Sequence, residues 1–206
     1  MLENNFVIKS EKFEKLERVL ITLHGYGASG EDFAQIGEGF LSKKLSNTVF
    51  LFPDAPRSCP IGSGKQWFDL DKMTYDELRM GLDESGPVLY EYIKSVLEEY
   101  NCTNINLAGF SQGAIMAFEM LYYPGITKIL AYSGIFVPPK EKTILSNASV
   151  LIVHGEDDDV VPYKNAPWGY QNLKKLGVNV ELRNFNDIGH SVSIEGWNCG
   201  INFLNK

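Results

Sequence analysis

Short, mostly apolar runs that alternate with helical patterns constrain the fold of this chain more than any other feature of its sequence. The runs are rich in Val, Ile, Leu and Phe, and they lie at 18–23, 48–52, 104–108, 128–132 and 150–153. A strand without a polar side is covered on both faces, which is typical of parallel sheets between two helical layers. The alternation therefore predicts an α/β fold with a mostly parallel central sheet and helices on both faces.

Weaker patterns supply the other predicted elements. Residues 6–9 and 178–182 are predicted to be edge strands. Helices are predicted at 30–41, 75–82, 85–100, 114–121, 170–176 and 193–204. The first follows an N-cap at Ser29, and the third has Pro87 in its first turn. Because there is no repeat, low-complexity tract or linker, residues 1–206 are predicted to form one domain without a large lid.

Composition and charge argue against several classes of function. The formal net charge of −7 repels phosphate backbones and anionic lipid surfaces, so nucleic acid is not expected as a partner. The chain starts without a signal-peptide pattern and has no apolar run long enough to cross a bilayer, so no integral membrane association is predicted. Cys59, Cys102 and Cys199 lack metal-type spacing, and their odd number favours a reducing compartment. We therefore predict a cytoplasmic protein.

The pattern Gly-x-Ser-x-Gly at 109–113 lies between a predicted strand and a predicted helix. A serine in such a sharp turn projects its hydroxyl above the sheet, and the flanking glycines let the backbone close tightly. The helix that follows points its N-terminal N–H groups toward the serine oxygen, where they can stabilise negative charge. Ser111 is therefore the candidate nucleophile.

A serine hydroxyl needs a base within hydrogen-bond reach, and the chain has three histidines that could supply it. His24 and His154 each lie between a predicted strand and a glycine, which is typical of a structural histidine bonded to backbone. His190 lies on a polar loop between the last strand and the last helix, from which it can reach over the sheet toward Ser111. We predict His190 as the base.

Four aspartates could orient this base. Asp187 lies close to His190 in sequence and is interpreted as a loop-capping residue. Asp157, Asp158 and Asp159 follow a buried strand, and their run lacks the alternate spacing and central glycine of an EF-hand, so no metal site is predicted. The residues alone leave the choice within this run open, but the order Ser, Asp, His is that of an α/β-hydrolase triad.

The chain resembles the carboxylesterase/phospholipase family of α/β-hydrolases, which includes acyl-protein thioesterases and lysophospholipases. The matching segments cover nearly the whole length and lie at 23–27, 53–56, 66–68, 109–114, 154–162 and 189–190. The resemblance implies a single-domain α/β-hydrolase in which Asp158 is the acid and the N–H groups of Tyr26 and Gln112 form the oxyanion hole. The chain departs from the family in having Asp159 where proline is common and Tyr26 where leucine is often found.

The resemblance implies a serine hydrolase that cleaves esters or thioesters of small or medium acyl chains through an acyl-enzyme, without a cofactor. The alternative is lysophospholipase or acyl-protein thioesterase activity on long acyl chains. A peptidase would need a charged pocket that no segment predicts, and a non-catalytic binding protein would be expected to lack a triad residue. The expected partner is therefore a small acyl ester or thioester, whereas a monomer and a weak homodimer both remain open.

The loop after the third predicted strand is a candidate for the substrate groove. Ile61, Trp67 and Phe68 are the apolar residues that we predict to contact the acyl chain. Buried aromatic residues mostly serve packing, so a core position for Trp67 and Phe68 is an equally good interpretation.

Overall fold

The structure is a computed structural model that describes residue 2 and residues 6–60, 62–141 and 143–206. The strands of these residues are β1 Phe6–Lys9, β2 Arg18–Leu23, β3 Thr48–Phe52, β4 Arg57–Ser58, β5 Lys65–Gln66, β6 Ile105–Phe110, β7 Ile126–Tyr132, β8 Ser149–Gly155 and β9 Val180–Phe185. The α-helices are α1 Gly30–Ile36, α2 Ser42–Lys44, α3 Tyr75–Tyr100, α4 Gln112–Glu119, α5 Asn165–Lys175 and α6 Ile194–Leu204. A π-helical turn at Gly37–Leu41 joins α1 to α2, and a 3-10 turn at Met120–Tyr122 follows α4.

Seven strands form one sheet in the order β1-β3-β2-β6-β7-β8-β9. Only β1 is antiparallel to its neighbour in this sheet, and every other pair is parallel. β4 and β5 pair separately as a two-stranded antiparallel hairpin. The predicted α/β class and the mostly parallel sheet are confirmed.

Helices cover both faces of the sheet, and successive residues of a strand face opposite layers. Leu20 of β2 packs in the cluster that contains residues of α1 and α6. Its neighbours Val19 and Ile21 pack in the larger cluster, with residues of α3, α4 and α5. Two apolar cores of this kind explain why the central strands lack a polar side.

α3 is one helix of 26 residues, so the two separate helices predicted at 75–82 and 85–100 are wrong. Leu82 before Pro87 and Leu89 after it are buried in the same core cluster, so both halves are held against one surface. Pro87 itself is exposed, on a face where water can replace a missing backbone hydrogen bond. Within the described residues, neither α3 nor another helix has an apolar stretch long enough to span a membrane.

Several predicted boundaries differ from the structure, among them those of α5 and β9. The helix predicted at 170–176 begins earlier, at Asn165. Pro167 does not prevent this start, because it lies in the first turn, where backbone N–H groups have no partner within the helix. The strand predicted at 178–182 is β9, which continues to Phe185 because it pairs with β8 up to Gly155. The edge-strand assignment is confirmed, and only the first and last residues of the strand differ from the prediction.

Candidate active site

The predicted site residues Ser111 and Asp158 lie at the same edge of the sheet as the predicted structural residue His24. His24 directly follows β2, Ser111 follows β6, and Asp158 lies three residues beyond the end of β8. These three strands are parallel, so their carboxyl ends meet at the same edge. In open α/β sheets this edge is where ligands bind.

Ser111 occupies a strained turn between β6 and α4, as the Gly-x-Ser-x-Gly pattern predicts. Its φ of 54° and ψ of −117° are unusual for a residue with a side chain. A Cβ atom at Gly113 would lie 2.6 Å from the carbonyl oxygen of His24 and closer still to that of Leu23. A Cβ atom at Gly109 would lie 2.6 Å from the backbone nitrogen of Ala114. The two glycines therefore permit the close approach that turns the chain at Ser111.

His190 lies beside this turn. Its imidazole centroid is 4.8 Å from the ring centroid of Phe110, the residue before Ser111. The His190 side chain is 17% exposed, so one edge of the ring reaches solvent. Among the described residues, the Ser111 hydroxyl makes no hydrogen bond to His190 or to any other group. Such bonds between a nucleophile and its base often tighten only when substrate is bound.

Asp158 is the aspartate that contacts His190. Its Oδ2 is 2.8 Å from His190 Nδ1, and its Oδ1 accepts hydrogen bonds from the backbone N–H groups of Val160 and Val161 at 3.0 and 2.8 Å. The side chain is fully buried, whereas Asp157, Asp159 and Asp187 are exposed. Of the four candidate aspartates, Asp158 is therefore the one whose carboxylate is buried and accepts three hydrogen bonds.

His24 is a structural histidine, as its position between a strand and a glycine predicts. Its Nε2 accepts the N–H of Ala55 at 3.0 Å, which assigns the ring proton to Nδ1. Nδ1 lies 2.8 Å from the carbonyl oxygen of Gly25 and donates to it. Burial lowers the pKa of His24, so the ring is held neutral inside the protein.

His154 is also buried and bonded to backbone, through Nε2 and the carbonyl oxygen of Val161 at 2.8 Å. Burial lowers the pKa of His154 as well. The same Nε2 lies 3.2 Å from Asp158 Oδ2, a contact that the sequence analysis missed. Their spacing of four residues was visible in the sequence, but this segment is a strand end and loop, for which spacing predicts no contact.

The loop after β2 lies against Ser111. A Cβ atom at Gly25 would be 3.4 Å from Ser111 Cβ, so the backbone of this loop passes next to the serine. The β4–β5 hairpin fixes the loop through Gly27 N–H to Lys65 O at 2.9 Å and Lys65 N–H to Ala28 O at 2.8 Å. Neither the Tyr26 N–H nor the Gln112 N–H donates to a described residue. Both donors are therefore available to a ligand.

The side chain of Gln112 connects the helix after Ser111 to the segment after β5. Its Oε1 accepts the backbone N–H of Trp67 at 2.9 Å, and its Nε2 donates to the carbonyl oxygen of Phe68 at 2.8 Å. The Trp67 indole N–H donates to the carbonyl oxygen of His24 at 2.9 Å. Sequence reasoning assigned Gln112 only a backbone role, because these partners are more than 40 residues away.

The predicted substrate groove needs correction. Trp67 and Phe68 are 1% and 0% exposed, so both belong to the core and have no surface to offer a substrate. Their burial follows from the bonds to Gln112 and His24 and from contact with α3, since Gly81 packs directly against the Phe68 ring. Ile61, the third predicted groove residue, lies outside the described residues.

An apolar pocket of about 400 Å³ lies near the same edge of the sheet. It is lined by Met73, Tyr75, Leu78, Ile135, Phe136, Val137, Lys164, Asn165 and Trp168. Residues 135–137 come shortly after β7, and the last residue of β7, Tyr132, accepts the backbone N–H of Ser111 at 2.9 Å. A neighbouring cavity of about 650 Å³ has a more charged lining, with Arg79, Asp83 and Glu84. The apolar pocket is the better match to an acyl chain.

The described residues do not form a metal-binding group. Within the part of the chain that is described, no three His, Cys, Asp or Glu side chains are grouped so that they could hold a metal ion. Cys59, Cys102 and Cys199 are free thiols. The chemistry that the described residues offer is therefore that of a hydroxyl, an imidazole, a carboxylate and backbone N–H groups.

Comparison with known proteins identifies a single family. The family model for phospholipases and carboxylesterases matches residues 3–206. Acyl-protein thioesterase 1 homolog 1 of Dictyostelium discoideum is 27% identical, with 100% of this chain and 96% of that protein covered. Carboxylesterase SOBER1 of Arabidopsis thaliana is 30% identical, with 86% of this chain and 88% of that protein covered. The crystal structure of esterase PE8 matches with a TM-score of 0.90 at 28% identity, covering 98% of this chain and 97% of that one.

Proposed function

The chain belongs to the phospholipase/carboxylesterase family, and on that premise we propose that Ser111, His190 and Asp158 form its catalytic triad. His190 takes the proton of Ser111 as the hydroxyl attacks an acyl carbonyl. The same imidazole then protonates the leaving alcohol or thiol, and water repeats the cycle on the acyl-enzyme. The relatives include carboxylesterases and acyl-protein thioesterases, which supports ester or thioester hydrolysis as the reaction.

The observation that carries this proposal is the hydrogen bond between Asp158 and His190 beside the Ser111 turn. A carboxylate only accepts hydrogen bonds, so the bond at 2.8 Å assigns the imidazole proton to Nδ1. Nε2 is then the nitrogen that can accept the Ser111 proton. Asp158 also stabilises the imidazolium that forms when this proton is transferred.

We propose that the N–H groups of Tyr26 and Gln112 form the oxyanion hole. Both lack an acceptor among the described residues, and both lie on backbone adjacent to Ser111. Gln112 is the first residue of α4, so the positive end of the helix dipole adds to its N–H. Each such donor is worth on the order of a hundredfold or more in rate.

The apolar pocket lined by Ile135, Phe136 and Trp168 is the proposed site of the acyl chain. Its volume of about 400 Å³ supports a small or medium acyl group, and its partly open form leaves longer thioesters as the alternative. Three free thiols in the described structure support a reducing compartment, and we propose the cytoplasm as the location.

Hydrolysis of a series of p-nitrophenyl esters, an acyl-CoA and a lysophospholipid tests the proposal. Ser111→Ala should lower kcat by about 10⁴-fold or more on every substrate that the wild type hydrolyses, because it removes the nucleophile. Mass spectrometry should detect an acyl adduct on the wild type and none on Ser111→Ala.

The exposed Ser95 on α3 supplies the control, since Ser95→Ala should keep wild-type rates. If Ser111→Ala retained activity, Ser111 would not be the nucleophile. The kcat/KM values of the wild type across these substrates then distinguish a short-chain esterase from a long-chain thioesterase or lysophospholipase.

A further inference from the structure

His154 donates a hydrogen bond and keeps its proton on one nitrogen. Its Nε2 is 2.8 Å from the Val161 carbonyl oxygen, which can only accept, so Nε2 carries the proton. Its Nδ1 is buried and has no hydrogen-bond partner. The side chain is fully buried, so solvent does not reach either nitrogen.

The Nε2–H of His154, which is bonded to the Val161 carbonyl oxygen, also lies close to Asp158. Oδ2 of Asp158 lies 3.2 Å from this nitrogen and 2.8 Å from His190 Nδ1. Oδ1 accepts the N–H groups of Val160 and Val161. The carboxylate therefore accepts three hydrogen bonds, and the Nε2–H of His154 is in close polar contact with the same oxygen that binds His190.

The two histidines differ in how firmly they are held. His190 lies on a partly exposed loop, and its only described hydrogen bond is the one to Asp158. His154 is the penultimate residue of β8, and its Nε2 is bonded to the carbonyl oxygen of Val161, whose N–H binds Asp158 Oδ1. The bond to Val161 therefore anchors the His154 ring independently of the loop that carries His190.

We propose that His154 is a positioning residue that holds Asp158 Oδ2 in place for His190 through its Nε2–H. The inference rests on the proposed function, because Asp158 matters to catalysis only through His190. With this donor present, the carboxylate cannot rotate about its side-chain bonds when the hydrogen bond to His190 lengthens during the reaction. The neutral form of His154 suits this role, since a neutral ring donates from Nε2 without adding a charge beside the His190 imidazolium.

A matched pair of amides at position 154 tests this role. The amide nitrogen of His154→Gln can occupy the position of Nε2, whereas that of His154→Asn falls near Nδ1, which has no partner. His154→Asn should lower kcat about tenfold with KM within about twofold, the order expected when one hydrogen bond to a charged group is lost. His154→Gln should stay within about threefold of wild-type kcat. His154→Phe, which keeps the ring but has no donor, should behave like His154→Asn.

Circular dichroism and melting curves establish which variants are folded, and kcat is measured per folded protein. If His154→Asn does not fold, the comparison of His154→Phe with His154→Gln takes its place. Equal kcat in the donor and non-donor variants, or a loss that falls on KM, would overturn the proposal. Ser111→Ala is assayed in parallel: if it is inactive while the position 154 variants are alike, only the role of His154 fails, and if it is active, the proposed function itself fails.

Discussion

The two sides of the candidate site are held by different kinds of interaction. On the nucleophile side, backbone contacts at Gly109, Gly113 and Gly25 fix Ser111 and the loop after β2, and little space remains for movement. On the base side, His190 lies on a partly exposed loop and depends on one buried carboxylate, Asp158. Steric contacts with backbone atoms fix the position of Ser111, whereas a hydrogen bond to a charged group fixes the position of His190. Substitutions at the glycines of the nucleophile side should therefore cost stability, whereas those at Asp158 on the base side should cost activity in a folded protein.

The largest effect is expected at Asp158. Asp158→Asn should lower kcat by about 10⁴-fold, because an amide cannot both fix the His190 tautomer and stabilise the imidazolium. Asp159→Asn should change kcat by less than about threefold, since Asp159 is exposed and makes no described contact with His190. Steady-state kinetics on the best p-nitrophenyl ester measure both variants.

This pair of neighbouring aspartates also tests the assignment of the acid, because the residues of the run 157–159 alone leave the choice of aspartate open. A loss of activity confined to Asp159→Asn would transfer the role of the acid to Asp159. Melting temperatures within a few degrees of wild type are expected for both variants. A large loss of stability in Asp158→Asn would mean that the base side, too, is needed for folding.

The next effect is expected on the nucleophile side, in stability. Gly113→Ala should lower the free energy of unfolding by about 2–4 kcal/mol, because the added methyl group meets the backbone of β2, which cannot move aside. Gly39→Ala is the control, since a Cβ atom there has no heavy atom within 4 Å. Its effect should be neutral or stabilising by up to about 1 kcal/mol, as Ala favours helical backbone. Urea unfolding followed by tryptophan fluorescence measures both changes. Equal effects of the two substitutions would show that close packing at Gly113 does not limit stability.

The sequence predicted the parts of the molecule that depend on local pattern. The parallel sheet follows from the apolar runs, and the turn at Ser111 follows from five adjacent residues between a strand and a helix. The pairing of His190 with Asp158 was predicted from chain order together with family resemblance. The residues alone did not decide which of Asp157, Asp158 and Asp159 is the acid.

The missed features depend on contacts between distant segments. Gln112 reaches Trp67, which is 45 residues away, and this bond explains why Trp67 lies in the core rather than in a groove. α3 continues through Pro87 because both of its halves pack on one core, which a local rule about proline does not include. The contact of His154 with Asp158 depends on how the chain folds back after β8. In each case, tertiary packing outweighs the local signal.

The smallest predicted effect concerns the dependence of stability on pH, to which each side of the site contributes one buried histidine. Burial lowers the pKa values of His24 and His154 from 6.5, so at mildly acidic pH the unfolded chain binds more protons than the folded one. The stabilising effect of keeping them neutral is therefore complete above pH 6.5 and is lost as the pH falls from 6.5 toward the lowered values. Each histidine contributes a slope of at most about 1.4 kcal/mol per pH unit in that window.

His24→Gln separates the two contributions, because its side-chain oxygen can still accept the Ala55 N–H but does not titrate. Between pH 7.5 and 5.5, the free energy of unfolding of this variant should decrease less steeply than that of the wild type. His154→Gln should reduce the slope in the same way, and the double variant should remove most of it. Urea titrations at several pH values measure these slopes. An unchanged slope in either single variant would mean that the replaced histidine is protonated as easily in the folded protein as in the unfolded chain. That side of the site would then not contain a histidine that is held neutral by burial.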